Sequence, residues 1–407
     1  MKIVTAGTGM AAAEFVEQLR LEGFTGEIVM VGDEDVPPYS PCVIPFYLAG
    51  EPLDTVFWKG KDFYEKYRVT ARLGEPVVQV DPDRHIIRTA DGKTEEYDRL
   101  FFATGSHSRH PRPEWLETGG VFGFKTLTDM ITIDRYIREE QITEAVVFGG
   151  GFIGVDAALA LQARGLNVSL VHRNTRLLSQ MTDEDGGQFA TLRLAGKTGM
   201  DIRLRTTVEE ISHANGRLSA VRLSDGREIA TRLLILSTGV TPNSAPLKGD
   251  DRGICSNEQM LADPCIYTAG DVAITRHAVD GLPAVYANYP NAMRQARVAA
   301  RHLVHGDGSY SGSINTTVLR KHIDFPVISA GNFSGEPVTW QRGDVWRRVY
   351  LVDGMINGYI TIGDTRLSGY LYQHYVARTR VDGTIRKIIS SPRHDGQYRE
   401  MLGFAPT

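Results

Sequence analysis

The chain has 407 residues, 42% of them apolar and 23% charged, and a net charge of −4. That length provides for two or three domains with cores of their own, and the mildly acidic balance leaves no basic footprint for nucleic acid. No apolar run reaches the roughly 18 residues of a membrane span; three cysteines without a C-x-x-C pair imply neither a disulfide framework nor a zinc site, and they exclude a four-cysteine iron–sulfur cluster within the chain.

The N-terminus opens directly as a strand, Lys2-Ile3-Val4-Thr5-Ala6, leaving no room for a signal peptide, so a cytoplasmic protein is expected. The strand runs into Gly7-Thr8-Gly9-Met10-Ala11-Ala12, a G-x-G-x-x-A turn followed by a helix through about Arg20. Gly7 permits the tight turn, Gly9 lets the backbone approach a pyrophosphate, and Ala12 is small enough for helix–strand contact. The next strand, Glu27-Ile28-Val29-Met30-Val31, ends in Gly32-Asp33-Glu34. An acid about 20 residues beyond the glycines fits an adenosine ribose, with Asp33 preferred over Glu34.

Residues 36–50, VPPYSPCVIPFYLAG, are rich in proline and aromatics and hold Pro41 and Cys42; residues 51–70 read as a helical excursion. A hairpin is expected at 77–88, including Val78. The strand Leu100-Phe101-Phe102 ends in Ala103-Thr104-Gly105, whose small residues bring backbone close to a cofactor. A helix near 129–140 follows the crossover.

The run Val146-Val147-Phe148-Gly149-Gly150-Gly151-Phe152-Ile153-Gly154 repeats the opening pattern as strand, G-x-G-x-x-G turn and helix start. The exposed N–H groups and dipole of that helix attract phosphates. Its second strand ends not in an acid but in His172-Arg173-Asn174-Thr175-Arg176. Arg matches a 2′-phosphate in charge and geometry, so His172, Arg173 and Arg176 point to NADPH rather than NADH. The strand 233–237 closes in Thr238-Gly239, as 100–105 closes the first copy. The duplication implies two dinucleotides. Asp263-Pro264-Cys265-Ile266-Tyr267-Thr268-Ala269-Gly270-Asp271 then sets an acid at a strand end, an alanine-rich helix spans 286–304, and alternating strands from about 310 build a third, smaller α+β domain.

The segments GTGMAA, YDRLFFATGS, VFGGGFIGVDAALAL, LSTGVTPN and DPCIYTAGDVA, in this order, resemble the pyridine nucleotide-disulfide oxidoreductase family, whose members use FAD and NAD(P)H. The likeness runs to about residue 380. It implies an α/β fold of two Rossmann-like dinucleotide-binding domains plus a small C-terminal α+β domain. FAD-binding residues 1–112 and 242–308 would be split around an NAD(P)-binding domain at 113–241, with an interface domain at 309–407.

By the same resemblance, Gly7, Gly9, Ala12, Asp33 and Glu34 hold the ADP part of FAD. Pro41, Cys42, Val78, Ala103, Thr104 and Gly105 lie against the cofactor, and Gly270 and Asp271 meet its ribityl–phosphate region. Gly149, Gly151, Phe152, Ile153, Gly154 and Asp156 hold NAD(P), with Gly239 and Val240 near the nicotinamide; at Asp156 the family often has Glu. No C-x-x-x-x-C pair is present, since Tyr47 stands where the partner of Cys42 would be.

Two branches remain. VGDEDVPPYS and VYLVDGMINGYITIGDTRLSG are similar to acceptor reductases, including rubredoxin reductases and flavin subunits of larger complexes. These exchange a hydride between nicotinamide and flavin N5 and pass electrons to or from an iron–sulfur or rubredoxin-like partner. PCVIPFYLAGE is similar to the single-cysteine branch of CoA-disulfide reductases and NADH oxidases, in which Cys42 would be the redox thiol. No metal is expected, and a homodimer or a docked partner subunit would use the third domain.

Overall fold

The structure, a computed structural model, describes residues 1–319 and 325–390. They form two compact units. The first holds Met1–Pro113, Phe122–Gln141 and Thr238–Ile314; the second holds Glu114–Val121, Ile142–Ser237 and the chain from Asn315.

The first unit is built on a six-stranded sheet in the order Leu261–Asp263, Ile266–Thr268, Arg99–Phe102, Lys2–Ala6, Glu27–Val31, Thr70–Arg72. All neighbours are parallel except the antiparallel pair at 261–268. Side chains alternate between two buried faces, as a covered parallel sheet requires. Ile3, Ile28, Met30 and Phe101 face one core with the helix Met10–Leu21 and the helix Tyr289–His305, where Phe15 stacks on Phe101 with centroids 3.9 Å apart. Val4, Val29, Val31, Leu100 and Phe102 face the other, with Val80 and Ile87 of the expected hairpin and Tyr97 beyond it. The central strand Lys2–Ala6 lies between the strand that follows it and a strand almost a hundred residues on. That reversal is the switch point at which open α/β sheets bind ligands.

The second unit repeats the plan with parallel strands Asp201–Arg203, Asn167–Val171, Glu144–Phe148 and Leu234–Leu236 and the helix Phe152–Ala163. Its C-terminal part is a five-stranded antiparallel sheet in the order Thr316–Leu319, Val327–Gly331, Met355–Ile362, Val345–Val352, Glu336–Arg342, packed by the helix Ser368–Ala377.

The helix Glu184–Thr198 has no counterpart in the sequence reading. Its glycines mask it, and packing explains two of them. A Cβ on Gly186 would lie 2.9 Å from the Trp346 ring, and one on Gly187 would press on the Arg176 side chain and on Thr182. Asp183 caps this helix by accepting from the Gly186 N–H, and it also pairs with Arg348 at 2.7 Å and accepts from Tyr350. The helix Ile44–Leu48 also forms, inside the proline-rich stretch. The helix Leu127–Glu139 groups with the first unit, where Tyr47 donates to Asp134. Among the described residues no helix is long and apolar enough to cross a membrane.

Gly149 has φ +128°, and a Cβ there would overlap the Ser237 carbonyl. Gly149→Ala is therefore expected to destabilise the protein by about 3 kcal/mol or more. Urea unfolding of the two proteins checks this, and an unchanged midpoint would contradict it.

Candidate functional site

Each unit carries one glycine turn, and the two turns agree bond for bond. The Gly7 N–H donates to Val31 O at 2.7 Å, and the Gly149 N–H to Val171 O at 2.9 Å. The Ala103 N–H donates to Ala6 O, and the Ser237 N–H to Phe148 O. Gly7 has φ +112°, and a Cβ there would overlap the Ala103 carbonyl, as one on Gly149 would overlap that of Ser237. Gly9 and Gly151 then start their helices with φ/ψ of −70°/−174° and −75°/−175°.

The surroundings of those helix starts fit an anionic ligand. Three other long helices carry side-chain caps, from Thr126, Asp183 and Asn288. The two glycine-led helices have no side-chain cap and no acid in the first turn. Their positive dipole ends therefore face no acidic side chain from their own first turn. A Cβ built on Gly9 would meet nothing within 4 Å, and one on Gly151 only Gln180 at 3.7 Å. Ala12 is fully buried at the helix–strand contact, whereas a Cβ on Gly154 would overlap Gly149 O. Phe152 and Ile153 are half-buried and Asp156 is buried on the same helix.

In the first unit, Asp33 is exposed and Glu34 is turned inward. One Glu34 oxygen accepts from the Tyr39 hydroxyl at 2.8 Å, and that hydroxyl accepts the Leu127 N–H at 3.0 Å. The other oxygen, Oε1, is buried without a partner. Burial first, then the nearby Asp33 and Asp129 charges, push the carboxyl up to about 7 against the pull of the Tyr39 and Thr128 hydrogen bonds.

The Ala103-Thr104-Gly105 turn is fixed by Asn243. Thr104 Oγ1 donates to Asn243 O at 2.7 Å, and Asn243 Nδ2 donates to Thr104 O at 2.8 Å. Beside this turn Asp271 accepts from Ser106 Oγ and pairs with Lys125, both at 2.9 Å. Burial raises the Asp271 carboxyl, but the Lys125 charge, its hydrogen bond and that of Ser106 outweigh this and hold it below the usual carboxylate range. Gly270, at φ +81°, donates its N–H to the buried Gln295 Oε1 at 2.8 Å.

Lys125 and Gln295 escaped sequence reasoning, as did Lys59, which is buried between Glu14 and Glu17 of the first glycine-led helix while Arg297 also pairs with Glu14. Lys125 does adjoin the legible capping box Thr126–Asp129, but nothing local links it to a residue 146 positions away. Pro41 and Cys42 are exposed in a turn before the five-residue helix Ile44–Leu48. Val78 is 49% exposed on the strand Val77–Asp81. Gly239 and Val240 belong to the first unit: Gly239 O accepts from the Arg109 N–H, and Val240 pairs with Ser108.

The expected basic cluster does not assemble as three free cations. His172 is buried, with Nδ1 accepting from the Gly150 N–H at 2.9 Å; burial, then Arg173 and Arg176, push it down to about 4. Arg176 is engaged by Glu184 and Thr182 O. Arg173 remains exposed with no ion-pair partner among the described residues.

Residues 1–301 match the family described as pyridine nucleotide-disulphide oxidoreductase. The chain is 31% identical over 422 aligned residues to an assimilatory nitrate reductase electron transfer subunit of Bacillus subtilis (strain 168), covering 100% of this chain but 53% of that protein. The chain thus spans about half the length of that relative. It is 32% identical to a putidaredoxin reductase of Pseudomonas putida, over 73% of each chain. In fold it is similar to the reductase in a crystal structure of a covalent putidaredoxin reductase–putidaredoxin complex, with a TM-score of 0.88 at 24% identity, covering 99% of this chain and 98% of that one.

The raised Glu34 pKa has a testable sign. The native chain keeps a proton on Glu34 between its ordinary value of 4.5 and about 7, whereas the unfolded chain releases it. Stability should therefore fall as pH rises through that window, by about 3 kcal/mol at most, and stay level above it. Unfolding measured without bound nucleotide should show this fall for the wild type and not for Glu34→Gln; identical pH profiles would refute the assignment.

Proposed function

Because the chain belongs to the pyridine nucleotide-disulphide oxidoreductase family, we propose that it is an FAD-dependent NAD(P)H:acceptor oxidoreductase. Its acceptor or donor is an iron–sulfur or rubredoxin-like protein, or a partner subunit carrying such a centre. The observation that carries the reading is the pair of matching, uncapped glycine turns, one for each dinucleotide. The carrier-protein reading draws on the relatives, one named an electron transfer subunit and one a putidaredoxin reductase.

Bound FAD would supply the chemistry that joins two-electron exchange with a nicotinamide to one-electron exchange with a carrier. This chain's residues supply binding and alignment. The first-turn N–H groups after Gly9 would hold the pyrophosphate of FAD, and Asp33 or Glu34 its adenosine ribose. Asp271, held ionised by Lys125 and Ser106, would accept from the ribityl region, and Gln295 fixes the Gly270 turn beside it. The turn after Gly151 takes the pyrophosphate of the nicotinamide nucleotide. Hydride exchange asks for alignment of two rings and exclusion of water rather than a side-chain acid.

Arg173 is the cation available to a 2′-phosphate, so a preference for NADPH would rest on it. Arg173→Ala is expected to lower kcat/KM for NADPH about tenfold, the loss of one charge-assisted contact, and to leave NADH nearly unchanged. Equal losses for both nucleotides would remove Arg173 from selection.

Anaerobic addition of NADH or NADPH should bleach the flavin spectrum of the purified protein; a bound flavin that neither nucleotide reduces would overturn the proposal. Cys42→Ser should keep NAD(P)H:acceptor activity. Complete loss with FAD still bound would move the protein to the thiol-based branch.

A further inference from the structure

Asn288, Asn291, Arg294 and Gln295 recur at helical spacing along the helix Tyr289–His305 and its cap, and all four reach the segment 310–314. Asn291, 2% exposed, treats Ile314 as a neighbouring strand would. Its Nδ2 donates to Ile314 O and its Oδ1 accepts the Ile314 N–H, both at 3.1 Å. Asn288 Nδ2 adds a bond to Ile314 O at 2.8 Å, and Arg294 donates to Ser311 Oγ and Gly312 O. Gly312, at φ +105°, has no room for a side chain, since a Cβ would lie 2.7 Å from Ala278 Cα. Ile314 is the last residue of the first unit, so these bonds fix the place where the chain leaves it.

Gln295 faces two ways. It is 1% exposed, accepts the Gly270 N–H on Oε1 at 2.8 Å and donates from Nε2 to Ser313 Oγ at 3.4 Å. Ser313 is fully buried and its hydroxyl is saturated. One lone pair takes the Gln295 N–H; Thr275 Oγ1 at 2.7 Å and the Tyr310 hydroxyl at 2.9 Å between them use the other lone pair and the proton. The Ser313 N–H donates to Arg276 O at 2.8 Å. The segment is thereby joined to the chain on both sides of Asp271, to Gly270 through Gln295 and to Thr275 and Arg276 directly. Gly270 is itself closely packed: a Cβ there would come 3.3 Å from Ala11 Cβ on the glycine-led helix and 3.9 Å from Ala292 Cβ.

We propose that Gln295 is a positioning residue that couples the hold on FAD to the seating of the segment 310–314. This rests on the reading that the Gly270–Asp271 turn meets FAD. A ligand that steadies the turn steadies the Gly270 N–H, and with it the Gln295 amide and the hydroxyl of Ser313. By linkage the effect is reciprocal: the factor by which FAD favours the seated segment is the factor by which the seated segment favours FAD. Gln295 acts through Gly270 and takes no part in hydride exchange.

Hydrogen exchange of the FAD-loaded and FAD-stripped protein provides the test. In the wild type, FAD should slow exchange of the Tyr310, Ser313 and Ile314 amides about tenfold more than that of the paired strands Ile86–Thr89 and Thr94–Glu96 in the same unit, the worth of one hydrogen bond. Gln295→Met keeps the length of the side chain and loses both bonds. It should weaken FAD binding about tenfold, and at saturating FAD the extra protection of the segment should vanish. Equal protection of segment and reference strands in the wild type overturns the proposal without any variant. Extra protection that survives in Gln295→Met overturns it as well. A wild type that binds no FAD, or a bound flavin that neither nucleotide reduces, would instead strike the functional reading on which this one stands.

Discussion

Two carbonyl oxygens govern the architecture. The Ala103 and Ser237 carbonyls each occupy the space that a Cβ on the neighbouring turn would need, so the chain can leave the central strand only through glycine at 7 and at 149. Both glycines adopt a backbone conformation that other residues enter at a cost. The reward is positional: each turn delivers the N-terminus of a twelve-residue helix to the end of a parallel strand, at the reversal of strand order. These two helices have no side-chain cap, while the helices begun by Thr126, Asp183 and Asn288 receive one. Local conformation, sheet topology and anion affinity therefore descend from the same close approach.

The polar groups around these turns follow a consistent logic. Where a charge must persist, a counter-charge or donor sits beside it, as Lys125 and Ser106 do for Asp271. Where burial dominates, the neutral form is favoured, at Glu34 against its Tyr39 hydrogen bond and at His172 with the Arg173 and Arg176 charges in support. Glu34 and His172 are each half satisfied by the protein, through Tyr39 and Gly150 respectively, and each keeps one buried atom without a partner.

The sequence was most legible where local pattern and tertiary role coincide. Glycine turns flanked by an apolar strand and an alanine-rich helix announce themselves, because every residue of the motif serves the same few ångströms of structure. The ranking of Asp33 over Glu34 rested on spacing alone, and spacing cannot say which of two adjacent acids faces inward; the contact with Tyr39 decides that. The cluster His172, Arg173 and Arg176 read as three cations because charge is visible in sequence, whereas burial and the Glu184 partner are not. Lys125, Gln295 and Lys59 act through partners remote in the chain, and their letters carry no mark of it. The helix Glu184–Thr198 was hidden because its glycines answer to packing rather than to helix propensity.

Asp183 ties together parts of the chain that motif reading separates. Its carboxylate stops the Gly186 amide from being orphaned and also neutralises Arg348 and receives the Tyr350 hydroxyl from the C-terminal sheet. The helix it caps begins with Glu184, the partner of Arg176 in the loop after the second nucleotide strand. Removing the acid would strand Arg348, whose side chain is only 15% exposed. The C-terminal segment is therefore no detachable module. It lies in one compact unit with the second dinucleotide fold, so the two are expected to lose hydrogen-exchange protection at this helix end together.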